Sequence, residues 1–449
     1  MAQLSTARDY LQIALRAERW IDQHQHKTEH GVLWSVAAEA PGKRFHNLYS
    51  GAAGVALFYL ELWQATKQQR FLDVAVQASQ EVVHHLSTIE HLPCAPAGGF
   101  GGYLFALTEI GKASGEQVFL AAASQCAERQ REQAQSIGAG IGWVQEMPYA
   151  KLTGFTGQRE IYDVAEGAAG ASLCWLYAHE QGVLPQSLTW AQQAGERLLE
   201  VAEPAEGGLR WQLMDDIPWP FDAPNFAHGT AGVAFFFARL YEHTGEARYL
   251  EAAKAGAGHV QAMSVPQGDG HLVPHILNDG RPDRFYLGYC HGPAGTGRLF
   301  YLLGELTDDP AWRDWGQGLD RGLVALGAPE ERSRGFWNNI SQCCCDAGIG
   351  DHAISMWRAH QDDFYLQLAR RVAVGLVAQG TVEQSAGDTQ TIAWPQAEHR
   401  SQPDFIQTQT GYMQGAAGVG SFFVHLATTL EGKPVKIDFP ESPYRRLSR

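Results

Sequence analysis

The sequence predicts an all-α fold: an α/α toroid of seven helix pairs with glycine-rich inner-helix starts, forming one domain over residues 1–449. Two observations predict it. A core of Gly-x-Ala-Gly followed by an apolar run recurs seven times, at intervals of roughly 50 to 70 residues. Between the copies lie long stretches with apolar residues at i, i+3, i+4 and i+7, the pattern of one buried helix face.

The copies are SGAAGVALFYL at 50, AGGFGGYLFAL at 97, EGAAGASLCWL at 166, HGTAGVAFFFARL at 228, HGPAGTGRLFYLL at 291, CCDAGIGDHAI at 344 and QGAAGVGSFFVHL at 414. In the sixth, Cys345 replaces the first glycine. The runs after the glycines are apolar all round and read as buried inner helices. Stretches such as FLDVAVQASQEVVHHL and DFYLQLARRVAVGLVAQG read as amphipathic outer helices. Open solenoids use shorter and more uniform repeats, so closure into a ring is expected. A short extended piece ending at Trp precedes several copies: GVLW at 31, GLRW at 208, GFW at 335 and TIAW at 391. The repeats fill about residues 45–430, with an N-terminal helix and the tail KPVKIDFPESPYRRLSR as extensions. The stretch QSIGAGIGWVQEMPYAKLTGFTGQREIYD, between the second and third copies, is expected to be an insertion serving as a lid or peptide groove.

Composition narrows the function. The net charge is −15, from 34 basic and 49 acidic residues, which argues against a nucleic-acid or anionic-membrane binder and suits a basic peptide substrate. The N-terminus is amphipathic and charged, without the apolar core of a signal peptide, and no run is long enough to span a membrane. Seven cysteines, an odd number, do not suggest a disulfide framework. A cytoplasmic protein with reduced thiols is expected.

If the repeats are equivalent, the two residues before each first glycine share places at the mouth of the ring. They are Tyr49-Ser50, Pro96-Ala97, Ala165-Glu166, Ala227-His228, Cys290-His291, Cys343-Cys344 and Met413-Gln414. Metal-binding types concentrate in the fourth to sixth, which are adjacent around a ring. The unsatisfied N–H groups of the inner-helix starts are expected there too, favouring anions and thiolates. Three converging thiols, Cys290, Cys343 and Cys344, suit zinc, which takes sulfur and nitrogen ligands and keeps one position open in catalytic sites. The plain alternative is that these are small buried residues packing as hydrophobes. Cys94, Cys126 and Cys174 are read as core or surface thiols. Cys345 is a bystander, or a ligand if the frame slips by one.

NFAHGTAG, GYCHGPAG and QCCCDAG, in this order on a sevenfold glycine-rich helical repeat, resemble the lanthionine synthetase C-like (LanC-like) family. The resemblance covers most of the chain. It implies zinc held by Cys290, Cys343 and Cys344, a catalytic His228, and a functional Asp163 in YDVAEGAAG. It further implies a lanthipeptide cyclase: Michael-type addition of a Cys thiol to dehydroalanine or dehydrobutyrine in a dehydrated precursor peptide, made by a separate dehydratase, to give a thioether ring. His228 would move the proton, and Asp163 would orient it. The sequence departs from the family pattern in four places. Tyr289 stands where a Trp is usual, His291 where a Tyr is frequent, and Cys345 where a Gly follows the Cys pair. Neither Arg284 nor Arg281 is in register with the family's arginine.

Three other readings stand beside this one. A LanC-like enzyme could add glutathione or another free thiol to dehydroamino acids in proteins. A non-catalytic LanC-like scaffold would only bind peptide. Carbohydrate-active toroids are rich in Trp, and this chain has 13, but they need a carboxylate pair. The mouth positions offer little beyond Glu166.

Overall fold

The computed structural model describes residues 6–146, 156–217, 222–277, 280–281, 283–332, 339–385 and 389–444, among which fourteen helices form two concentric layers. The inner layer comprises α2 (Ala52–Thr66), α4 (Phe100–Ser114), α6 (Ala168–Glu180), α8 (Thr230–Thr244), α10 (Pro293–Thr307), α12 (Asp346–His360) and α14 (Ala416–Leu430). The outer layer comprises α1 (Ala7–Asp22), α3 (Gln69–Thr88), α5 (Gln117–Gln133), α7 (Ser187–Glu200), α9 (Ala247–Ala262), α11 (Pro310–Ala325) and α13 (Asp363–Gln379). Each inner helix packs on the next, and α14 returns to α2, so the ring is closed. Each outer helix packs on the inner helix before it. The N-terminal α1 lies against α14 and fills the one outer place that the repeats leave vacant.

Burial follows the two sequence patterns. In α2 every residue from Ala52 to Leu62 is buried, because the helix is enclosed by neighbours on both sides and by its outer partner. In α3 only a stripe is buried, including Phe71, Leu72, Ala75, Ala78, Val82 and Leu86. No helix among the described residues is long and apolar enough to cross a membrane.

The second glycine of each pair has a steric cause. The segment leading into each inner helix crosses that helix's own first turn. A Cβ on Gly170 would lie 1.8 Å from the carbonyl oxygen of Val164, and one on Gly295 would lie 1.8 Å from that of Tyr289. Only glycine admits this approach. The crossing also satisfies the helix start: Ala168 and Ala169 donate to the carbonyls of Ile161 and Tyr162 at 2.9 and 3.1 Å, and Thr230 donates to Ala223 at 3.0 Å. This overturns the expectation of unsatisfied N–H groups at the mouth, since the entering chain takes them up.

Antiparallel two-stranded hairpins follow several outer helices, for example Glu203–Ala205 with Gly208–Arg210. The tryptophan after the hairpin staples it to the outer helix. The indole N–H of Trp211 donates to Leu198 at 2.7 Å, and that of Trp394 to Leu376 at 2.8 Å, each to a carbonyl in the last turn of the outer helix. Trp143 does the same to Gln130 at 2.9 Å. Gln135–Ile137 with Gly140–Gly142 is therefore an ordinary repeat hairpin, and the insertion begins only at Val144. That insertion forms a second hairpin, Val144–Glu146 with Gln158–Glu160. Residues 147–155 of the expected lid lie outside the described residues, as does GFW at 335.

The tail enters the lumen. Ile437 donates its N–H to Glu61 at 3.0 Å, Lys436 reaches Ser355 Oγ at 2.7 Å, and Phe439 lies 4.9 and 5.4 Å from the rings of Phe105 and Tyr412. Beside it, buried His425 bridges Asp351 through Nδ1 at 2.7 Å and Glu61 through Nε2 at 2.8 Å. Burial opposes charge on His425, but the two carboxylates outweigh it and raise the pKa to about 9. A group whose pKa is raised on folding stabilises fully below its unfolded value, about 6.5, and loses that contribution as pH rises through the folded value. The urea midpoint should therefore fall as pH rises from about 6.5 to about 9. His425→Gln should flatten that slope and lower stability at neutral pH by about 3–5 kcal/mol, because two carboxylates lose their shared partner.

Candidate metal centre and catalytic pair

The mouth is a ring of backbone hydrogen bonds. The N–H of Tyr49 donates to Ala97 (3.2 Å), Ala97 to Ala165 (3.4 Å), Ala165 to Ala227 (3.0 Å) and Ala227 to Cys290 (2.8 Å). Cys290 donates to Cys343 (3.0 Å), Cys343 to Met413 (3.0 Å) and Met413 back to Tyr49 (2.9 Å). One residue from each repeat takes part, two places before the residue that caps the inner helix. The cap in the second repeat is Gly99, so Ala97 and Gly98 occupy the mouth places there, not Pro96 and Ala97. In the sixth repeat the cap is Cys345. The frame does not slip: Cys345 is fully buried, and its thiol turns to Asp346 Oδ1 at 3.4 Å.

Cys290 and Cys343 thus hold equivalent places in adjacent repeats, and Cys344 follows directly. Their three sulfurs lie within 4.8 Å of one another and could hold a metal ion. Cys290 Sγ stands 3.9 Å from Cys344 Sγ, far beyond a disulfide bond, and all seven cysteines are free. Cys290 and Cys343 are buried and Cys344 is partly open. Hydrogen bonds from the Cys290 and Cys343 thiols hold Cys344 well below the usual thiol range, while the same contacts push Cys290 up. Among the described residues no histidine joins this group, so His291 is not a fourth member. Cys94, Cys126 and Cys174 are buried in the core, and burial raises Cys126 to about 12.

One repeat away, His228 Nδ1 meets Asp163 Oδ2 at 2.8 Å. Asp163 is buried, and its other oxygen accepts the N–H of Glu166 at 2.8 Å, which fixes the carboxylate. Burial works against charge on His228, but the hydrogen bond and charge of Asp163 prevail and raise its pKa. The His228 ring stacks on that of His291 at 5.1 Å. Asp163, His228, Cys290 and the Cys343–Cys344 pair come from four consecutive repeats and share one arc of the mouth.

Other neighbours were not singled out as site residues from the sequence. Gln414 donates to Cys344 Sγ at 3.4 Å and to Tyr49 Oη at 2.6 Å; both residues hold mouth places, so repeat alignment could have found them. His275 and Tyr286 lie on the approach to α10, with rings 4.2 Å apart. Arg400, from the turn between Pro395–Ala397 and Ile406–Thr408, hydrogen-bonds Tyr286. Of the two arginines noted near Cys290, Arg281 pairs with Asp283 at the surface, and Arg284 offers its backbone carbonyl to His275 at 2.8 Å.

Residues 45–436 match the family described as lanthionine synthetase C-like protein. No curated protein matches the chain. Among solved structures, nisin cyclase superposes with a TM-score of 0.59 at 13% identity, over 98% of this chain and 96% of that one. D-mannose isomerase gives 0.49 at 14% identity, over 73% and 85%. At such identity the nisin cyclase match is a likeness of fold, and it agrees with the toroid described above.

Titration with cobalt(II) should give thiolate-to-metal absorption that saturates at about one ion per chain. The Cys343→Ala, Cys344→Ala double variant should lose the band while keeping its helical circular dichroism. Cys345→Ala should retain it.

Proposed function

The chain belongs to the lanthionine synthetase C-like family, and from that premise we propose that it is a zinc-dependent lanthipeptide cyclase. It adds a Cys thiol of a dehydrated peptide across dehydroalanine or dehydrobutyrine and leaves a thioether ring. The observation that carries this reading is the cluster of Cys290, Cys343 and Cys344 beside the His228–Asp163 pair.

The donor set fits zinc. Tetrahedral zinc with bonds of about 2.3 Å separates its sulfur ligands by about 3.8 Å, and Cys290 and Cys344 stand at 3.9 Å. Cys290, Cys343 and Cys344 would hold the ion, and three protein ligands leave one tetrahedral position for substrate. When bound, zinc supplies the positive charge that lowers the pKa of a thiol brought to that position. Three thiolate donors, from Cys290, Cys343 and Cys344, would make that centre electron-rich.

The addition forms one S–C bond at the β-carbon, and the π pair moves to the α-carbon and its carbonyl oxygen. The proton lost by the thiol ends on the α-carbon, so nothing leaves. His228 carries that proton. Its Nδ1 is committed to Asp163, so proton exchange is the work of Nε2, and Asp163 sets both the tautomer and the ring orientation. Asp163 is thus a positioning residue. Addition of glutathione to a protein-borne dehydroamino acid uses the same steps and differs only in whether thiol and acceptor share a chain.

The test incubates zinc-loaded protein, with and without glutathione, with a peptide carrying dehydroalanine and a downstream cysteine. Loss of alkylatable thiol without change of mass reports a ring, and a gain of the mass of glutathione reports intermolecular addition. His228→Asn should lower kcat by about 10²–10⁴-fold. The acid limb of the rate profile should lie above the ordinary histidine value of about 6.5. Asp163→Asn should move it to lower pH as well as slowing the reaction. Failure of zinc-loaded wild type to consume thiol with any dehydrated peptide would refute the reading and leave the scaffold alternative.

A further inference from the structure

Four aromatic rings stand in a row beside the sulfur cluster: His228, His291, His275 and Tyr286. His228 is tied to Asp163. The next two are not tied: the Nδ1 atoms of both His275 and His291 are buried and have no hydrogen-bond partner. Their rings meet edge to face, with centroids 4.3 Å apart. His275 is only 7% exposed. Native interiors pair nearly all such atoms, so an orphaned one in a functional cleft calls for an explanation.

Both imidazoles are held from behind. His275 donates its backbone N–H to Arg284 at 2.8 Å, and its carbonyl accepts from Asn225 Nδ2 at 3.4 Å. Asn225 is itself fully buried and receives Thr296 Oγ1 at 2.9 Å. His291 follows Cys290, whose N–H and carbonyl both belong to the mouth ring. His291 does not join the sulfur group, so its orphaned nitrogen is not accounted for by the metal-competent cluster.

We propose that His275 and His291 act as a paired hydrogen-bond donor for the carbonyl oxygen of the dehydroamino acid. This rests on the reading of the site as a thiol-addition centre. As sulfur bonds to the β-carbon, the displaced π pair places negative charge on that oxygen. Donors fixed before the substrate arrives stabilise such charge without reorganising. Each Nδ1, in the N–H tautomer, supplies one donor. The charge returns to the α-carbon when the proton arrives there, and neither histidine gains or loses a proton over the cycle. Both act on the substrate oxygen directly, so both are catalytic residues, distinct in role from His228.

The test uses the full-length zinc-loaded protein. His275→Phe and His291→Phe should each lower kcat by about 10²–10³-fold, the usual effect of removing one such donor. Metal content and the His228 acid limb should stay as in the wild type. Asn at either position restores an N–H and should recover part of the loss. Independently of turnover, a dehydroalanine peptide lacking cysteine should shift the ¹⁵N resonances of Nδ1 of both histidines in the wild type. This second readout decides the matter if the Phe variants fold poorly. If wild type adds thiol while both Phe variants stay within about twofold of it, or if neither Nδ1 responds to the peptide, the donor pair is overturned. A wild type that adds no thiol at all removes the reading beneath the inference, and the inference with it.

Discussion

Seven backbone hydrogen bonds, handed from Tyr49 around the mouth and back to Tyr49, set the position of everything that acts there. Each is worth only about 1 kcal/mol net. Their force lies in closure, because no repeat can shift along its axis without breaking a bond on each side. The crossing segments and their glycines exist to deliver one residue per repeat to this ring. Since the backbone is the same at every station, the side chain alone decides what a station does. Alanine at Ala97, Ala165 and Ala227 keeps one arc narrow, while cysteine at Cys290 and Cys343 arms the next.

This explains which parts of the site could be read from sequence. Cys290, Cys343 and Cys344 were legible because repeat spacing maps directly to ring position, and the ring then places their sulfurs together. His228 was legible for the same reason, standing one residue past the ring at Ala227. Asp163 came through resemblance, and its meeting with His228 depends on neighbouring repeats touching side by side. The second repeat misled because Gly98 and Gly99 both fit the pattern, and only the helix start shows that Gly99 is the cap.

What lay off the ring was not legible. His275, Tyr286 and Arg400 sit in segments whose lengths differ between repeats, so equivalence gives no address for them. Arg400 lies more than a hundred residues from Tyr286 and meets it only because a turn from a later repeat leans over the mouth. The N-terminal helix likewise gave no sign of its place. Its amphipathic pattern says that one face is buried, but the vacancy beside α14 is a property of the closed ring. The unsatisfied helix starts were a wrong expectation for a related reason. The chain that crosses each first turn brings carbonyls as well as bulk.

The lumen shows what rigidity at the mouth rests on. Gln342, next to Cys343, donates to Asp351 Oδ2 at 2.7 Å and to the Gly418 carbonyl at 2.9 Å. Asp351 in turn holds His425, which holds Glu61, which receives the tail at Ile437. A charged chain of this kind adds little stability over a well-packed apolar core, and breaking one link is costly. Its consequence is geometric: three inner helices and the tail become fixed relative to the residue beside Cys343. Three thiols on flexible loops would lose their freedom at the moment of metal binding. Here part of that entropy is lost in folding, and the three sulfurs lie within 4.8 Å of one another, where they could hold a metal ion.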